Sequence, residues 1–398
     1  LPEETALSID ERQVRAAAEA VVEPELRRPL GELGMVGPIA VKRKKVTIDI
    51  FLAVAHWPQI DELVARVRRA VGVLDGVDEV IIETVLMDEE PRARLRMLLR
   101  GEAVDGGVMH AADDGHGHSH GGSGALGHEE GRPNRFMLPR SKTRILGISS
   151  GKGGVGKSSV TVNLAVALAR QGYDVGILDA DVYGFSVPKM LGIHGDPLII
   201  GDLVVPPTAH GVRCLSMGFF VADDTPVIWR GPMLHKALEQ FLVDAYWGEP
   251  DFLLIDMPPG TGDVTLSLGQ YLTKTEVFVI TTPQPAAQRV AQRSAHAARK
   301  LKLAVRGVIE NMSYFTGDDQ KRYEIFGSGG GQLLADELKV PLLGRIPLVP
   351  ELREGCDDGL PVVVAEPDGE AARVFDALAR SMVDLGPARV YRSELKVR

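Results

Sequence analysis

Apolar positions follow two different rhythms along this chain. In the first hundred residues they alternate or recur at helical spacing in short stretches. Ser8 and Glu11 read as a capping-box pair opening a helix, with Val14, Ala17, Ala18 and Val21 on one face and Pro24 closing it. Val46, Ile48, Ile50, Leu52 and Val54 alternate with other residues, which predicts a strand with one buried face. Ile60, Leu63, Val64, Val67 and Val71 then repeat at helical spacing, and Val80-Ile81-Ile82 predicts another strand. Residues 1–100 therefore read as a small α/β domain in which nothing is arranged for chemistry by itself.

From about residue 141 the apolar runs become unbroken and alternate with helical patterns. Strands are predicted at 144–149, 175–178, 252–255, 277–281 and 303–309, with a further one near 341–344. Such runs belong to strands buried on both faces, so 141–398 is expected to be an α/β domain with a mostly parallel sheet covered by helices on both sides. Between the two domains, residues 101–140 are rich in glycine, histidine and small polar residues and predict a flexible linker. His110, His116, His118, His120 and His128 lie there. A metal-loading tract and a solvated linker with weak, incidental metal affinity both fit; the loose spacing and the lack of cysteine favour the linker.

Composition narrows the function classes. A net charge of −9 over 398 residues argues against nucleic acid as the main partner. The two cysteines, Cys214 and Cys356, are far apart and imply no disulfide framework, which suits a reducing cytoplasm. No apolar run of membrane-spanning length occurs, and the acidic start at Glu3-Glu4 lacks the features of a secretory signal, so a cytoplasmic protein away from membranes is expected.

Chemistry enters at Ser150-Gly151-Lys152-Gly153-Gly154-Val155-Gly156-Lys157-Ser158-Ser159, which fits the G-x-x-x-x-G-K-[ST] phosphate-loop pattern between a predicted strand and a predicted helix. Glycines let backbone N–H groups turn toward an anion, and the helix N-terminus adds partial positive charge. Lys157 is expected to reach the β- and γ-phosphates of ATP, and Ser158 to hold Mg2+. Asp256 ends the run Phe252-Leu253-Leu254-Ile255, the place for a carboxylate holding Mg2+ through water. Asp179 and Asp181 follow another strand: Asp181 is expected to orient the attacking water, and Asp179 to support metal or loop. Asn311 lies just beyond a later strand, so four strand ends converge on one site. Lys152 is a second cation beside Lys157. If two subunits face each other across their nucleotides, it could cross to the partner's phosphates as an arginine finger does, which predicts a homodimer.

The extra lysine resembles the deviant Walker A ATPases, the class containing MinD, ParA and nitrogenase-iron-protein relatives. More specific strings are Leu178-Asp179-Ala180-Asp181-Val182-Tyr183-Gly184, Ile228-Trp229-Arg230-Gly231-Pro232-Met233, Asp256-Met257-Pro258-Pro259-Gly260-Thr261-Gly262-Asp263 and Glu310-Asn311-Met312-Ser313. Together they resemble the Mrp/ApbC family of iron–sulfur cluster carrier ATPases over roughly 141–370. The first domain, with Val22-Glu23-Pro24-Glu25-Leu26, resembles the SufT-like iron–sulfur assembly domain that precedes the ATPase in many bacterial members. The resemblance implies a P-loop NTPase fold and an ATPase that dimerises and hands a [4Fe-4S] cluster to apo iron–sulfur proteins. By position it makes Gly151–Ser158 the phosphate loop, Lys152 the intersubunit lysine, Asp181 the switch I carboxylate, Asp256 the switch II metal-linked position and Asn311 the residue near adenine, with Pro347 flanking the base.

Two departures from the family pattern stand out. Typical members carry a C-x-x-C pair shortly after Glu-Asn-Met-Ser, whereas here the chain runs Ser313-Tyr314-Phe315-Thr316-Gly317-Asp318-Asp319-Gln320-Lys321. In the first domain, the relatives' cysteine before proline is replaced within His56-Trp57-Pro58. The family match favours a cluster carrier; the missing cysteines favour an ATP-switched scaffold or partner-positioning ATPase that carries no cluster. A nucleotide kinase or synthetase shows no acceptor site and ranks last.

Overall fold

Alternating and unbroken apolar runs produce the two larger sheets, one in each of the two units into which the chain divides. The computed structural model describes residues 9–101, 134–181, 184–220, 231–260 and 263–388; His110, His116, His118, His120 and His128, with Ile228, Trp229 and Arg230, lie outside them.

The first unit contains α1 (Glu11–Glu19), α2 (Leu30–Leu33), β1 (Val36–Lys42), β2 (Lys45–Leu52), α3 (Ile60–Gly72), β3 (Glu79–Leu86) and α4 (Glu89–Arg100). The N-cap of α1 is Asp10, whose carboxylate accepts from the Arg12 amide at 2.9 Å. Ser8 lies outside the described residues. The sheet order is β1-β2-β3, antiparallel then parallel. Val46, Ile48, Ile50 and Leu52 are buried as the alternation requires, and α3 turns Leu63, Val67 and Val71 inward. β1 is a strand the apolar pattern hides, because Gly37 and Pro38 interrupt it.

The second unit continues with β4 (Arg144–Ser150), α5 (Lys157–Arg170), β5 (Val175–Asp179) and α6 (Val187–Met190). The next two strands, β6 (Leu198–Ile200) and β7 (Leu203–Val205), form an antiparallel hairpin that belongs to the first unit. Asp202 in its turn pairs with Arg96 at 3.6 Å and Arg100 at 2.5 Å, both from α4. The second unit resumes with β8 (Thr208–Ala209), β9 (Val212–Ser216), α7 (Gly231–Val243), β10 (Phe252–Asp256), α8 (Asp263–Tyr271), β11 (Glu276–Thr281), α9 (Pro285–Lys300) and β12 (Ala304–Glu310). It closes with β13 (Phe315–Thr316), β14 (Arg322–Tyr323), α10 (Gly330–Leu338), β15 (Leu342–Arg345), α11 (Pro350–Asp358), α12 (Val362–Ala365) and α13 (Glu370–Asp384).

The large sheet has the order β15-β12-β11-β4-β10-β5-β9-β8, parallel except where β8 meets β9. Helices α5 and α13 cover one face with Leu164, Leu168, Phe375 and Leu378; α9 and α10 cover part of the other with Ala291, Ala295, Leu334 and Leu338. Each large aliphatic side chain removed from water this way stabilises the fold by about 1.5–3 kcal/mol. At the N-terminal ends of the strands, Glu276 accepts from Arg144 at 3.1 and 3.0 Å and from Arg306 at 3.1 Å, an ion-pair knot that ties β4, β11 and β12 together. The C-terminal ends are thereby left for chemistry.

Candidate nucleotide site

β4 ends at Ser150, and the chain turns through Gly154 (φ 76°) and Gly156 (φ 79°) before α5 begins at Lys157. These left-handed conformations favour glycine. Gly151 rests so close to the backbone of Val290 and Ala291 that no Cβ could fit, an approach open because α9 presents only Ala287, Ala291, Ser294, Ala295 and Ala298 as buried residues. Gly153 and Gly154 face open space. The loop, with Asp181, Gly184, Met190 and Pro259, lines a cavity of about 230 Å3.

Buried charge gathers at the foot of this cavity. Lys157 Nζ donates to Asp256 Oδ2 at 2.6 Å and lies 3.7 Å from Asp181 Oδ2. The Ser158 hydroxyl donates to the same Asp256 oxygen at 2.6 Å, and Thr161 Oγ1 donates to Asp256 Oδ1 at 2.7 Å. Lys157 is 6 % exposed and Asp256 fully buried, so each compensates the other's lost hydration. Asp179 stands beside Asp256 across the β5–β10 ladder. Its carboxylate accepts from the amides of Asp181 (3.2 Å), Ser186 (3.3 Å) and Val187 (3.4 Å) and from the Ser216 hydroxyl (3.0 Å). Burial, and next the charge of Asp256, push its pKa up to about 7. Of the two roles foreseen for Asp179, these bonds are those of a loop support.

The strand–loop–helix geometry has counterparts among known proteins. The family described as NUBPL iron-transfer P-loop NTPase matches residues 141–383. The chain belongs to that family. A second family, described as iron-sulfur cluster assembly protein, matches residues 11–82. Curated relatives of this P-loop NTPase include an iron-sulfur cluster carrier protein of Mycobacterium tuberculosis, 41% identical over 373 residues and spanning 92% of this chain and 91% of the relative. The protein of the same name from Bacillus subtilis is 40% identical over 350 residues, spanning 85% and 88%. A solved nucleotide-binding protein from Archaeoglobus fulgidus, in complex with ADP, matches with a TM-score of 0.51 and 34% identity over 59% of this chain and 93% of that one.

The family's remaining positions fall around the loop at different distances. Asn311 donates from Nδ2 to the Val155 carbonyl at 2.9 Å, and the Gly156 Cα leaves no room for a Cβ against it. Its Oδ1 is buried and accepts no hydrogen bond among the described residues. Lys152 lines the cavity and is half-buried. Pro347 is buried in a segment zipped to the Asn311 loop, with Ser313 N bonded to Ile346 O at 2.9 Å and Leu348 N to Tyr314 O at 2.7 Å, and is not among the cavity's lining residues. Two residues bonded to the site's carboxylates, Thr161 and Ser216, are invisible to motif reading because their partners lie 95 and 37 residues away.

The positions where the family resemblance leads one to expect thiols hold other chemistry. The C-x-x-C region is the turn between β13 and β14, where Asp319 accepts from the Lys321 amide at 3.1 Å and from Tyr323 OH at 2.9 Å. In the first unit, buried Trp57 donates from Nε1 to Glu23 at 2.8 Å, and burial raises the pKa of that carboxyl. Cys214 is fully buried in β9 and Cys356 is buried in α11; burial raises both thiols, so neither presents a ready thiolate. Among the described residues, no group of three or more His, Cys, Asp or Glu could hold a metal ion, and no helix is long and apolar enough to cross a membrane.

Proposed function

We propose that this P-loop ATPase works as a homodimeric carrier or assembly factor for iron–sulfur clusters, delivering them to apo-proteins in the cytoplasm. Relatives named for that activity align along more than nine-tenths of the chain, which is the observation that carries the reading. The donor set suits Mg-ATP. Gly153 and Gly154 leave their backbone open to phosphate, Lys157 supplies the cation, and the Ser158 hydroxyl with the Asp256 carboxylate makes a hard-oxygen pair suited to Mg2+. The unsatisfied Oδ1 of Asn311 is an acceptor suited to the amino group of adenine. When bound, Mg2+ would neutralise phosphate charge as the terminal phosphoryl leaves. Asp181 orients the attacking water, while Lys152 reaches the phosphates of the partner subunit.

The cluster is cargo. With both cysteines buried and no cysteine pair after β12, its thiolates would have to come largely from the client or from a rearranged chain. This same observation favours the second reading, an ATP-switched scaffold without cargo. Anaerobic reconstitution with iron and sulfide, followed by Mg-ATP-dependent transfer to an apo-acceptor, separates the two. We expect bound iron with thiolate-to-iron absorbance and transfer; a protein that hydrolyses ATP yet neither binds nor transfers cluster would leave the scaffold. Sedimentation with a non-hydrolysable ATP analogue should give a dimer.

A further inference from the structure

Asp181 stands between β5 and α6, and among the described residues there, three backbone amides bind one carboxylate. Asp179 takes the amides of Asp181, Ser186 and Val187 on its two oxygens, so it grips the loop at both ends. Among the described residues, the carboxylate is fixed from outside the loop by one hydroxyl: Ser216, its register partner on β9, donates to Oδ2 at 3.0 Å. Ser216 Oγ also accepts from the Gly218 amide at 3.1 Å, which aims its hydrogen at Asp179. Two residues on, Gly218 packs so tightly on the Phe185 ring that a Cβ there would lie 2.5 Å from it. The 216–218 segment thus touches the Asp181 loop at its root and at its far side. Strand packing does not call for a hydroxyl here: the neighbouring inward positions of β9 are Val212 and Cys214.

We propose that Ser216 is a positioning residue for ATP hydrolysis, holding Asp179 so that the Asp181 carboxylate stands where the attacking water must be oriented. The proposal rests on the reading of Asp181 given above. Phosphates and base are assigned above to Gly151–Ser158, between β4 and α5 and at the start of α5, and to Asn311 just beyond β12, so the effect falls on turnover and not on affinity. Small displacements of a positioning group are costly in such chemistry, and a buried carboxyl left without its hydrogen-bond donor is expensive.

The test compares steady-state ATP hydrolysis by the full chain with that of Ser216→Ala, Ser216→Cys and Asp181→Ala. Ser216→Ala should lower kcat about tenfold with KM changed by less than about twofold. Ser216→Cys, which keeps the volume but weakens the donor, should lower kcat by an intermediate factor; a purely space-filling role would leave it at the parent value. An unchanged kcat in Ser216→Cys together with a KM effect alone in Ser216→Ala overturns the proposal, and if the alanine variant does not fold, the cysteine variant decides. Parent-level turnover in Asp181→Ala removes the reading of Asp181, and this proposal with it; loss there with full activity in both Ser216 variants removes only the proposal.

Discussion

The second unit contains two glycine-rich loops that run into a helix, and their backbone amides meet different neighbours. Gly151–Ser158 opens α5 and lines a cavity. Gly327-Ser328-Gly329-Gly330-Gly331 opens α10, with Gly327 and Gly329 at φ 83° and 80°. At the second loop the chain supplies its own anion. Glu310, 2 % exposed, accepts from the Gly331 amide at 2.5 Å and from the Ser313 hydroxyl at 3.0 Å, and Arg345 stands 3.6 Å away. A Cβ on Gly331 would meet the Glu310 side chain at 2.7 Å, and one on Gly330 would strike the Pro283 carbonyl. The first loop has a buried lysine at its foot and space above it. Glycine and a helix N-terminus make an anion cradle in both places; the difference is that Glu310 already occupies the Gly331 amide, while Ser328 and Gly329 line a separate cavity of about 610 Å3.

Breaking the open loop should have the largest effect. Lys157→Ala removes the main phosphate cation and should lower ATP turnover by about a hundredfold or more, read as phosphate release. Gly156→Ala comes next: its positive φ and the Asn311 side chain both oppose a Cβ, so ATP affinity in calorimetry should fall by about tenfold or more. At the second loop, Glu310→Ala should leave turnover near the parent value while costing about 1–3 kcal/mol of stability by stranding the Gly331 amide, a thermal shift of about 5 °C by calorimetry. Equal losses of turnover from Glu310→Ala and Lys157→Ala would erase the distinction. The smallest effect is expected from Thr161→Val, which removes one donor from Asp256 and should raise the Mg2+ concentration for half-maximal turnover by a few-fold.

Much of the second unit can be read in advance because a parallel sheet covered on both faces needs unbroken apolar strands. Phe252–Asp256 and Glu276–Thr281 therefore stand out in the chain. β9 does not, since Arg213 interrupts it; its guanidinium reaches Asp174 at 2.7 and 2.9 Å while most of the residue stays buried. The phosphate loop is legible because its groups are consecutive. Thr161 and Ser216 are ordinary hydroxyl residues until folding brings them to carboxylates on other strands. The α10 loop is a further case: only folding brings Glu310 from β12 to its Gly331 amide. In the first unit the helix cap shifts to Asp10, because an aspartate next to the first turn can take the Arg12 amide itself.

The hairpin lent by the ATPase sequence to the first unit sets a practical limit on dissection. Leu198, Ile200, Leu203, Val204 and Val205 are all buried, and they are encoded between Asp181 and β9. Trimming away residues 1–133 to isolate the catalytic half would strip their cover and leave a sticky apolar tongue, inviting self-association unrelated to nucleotide. A clean catalytic fragment would need polar replacements along that tongue, or a short loop spliced from Pro197 to Pro206.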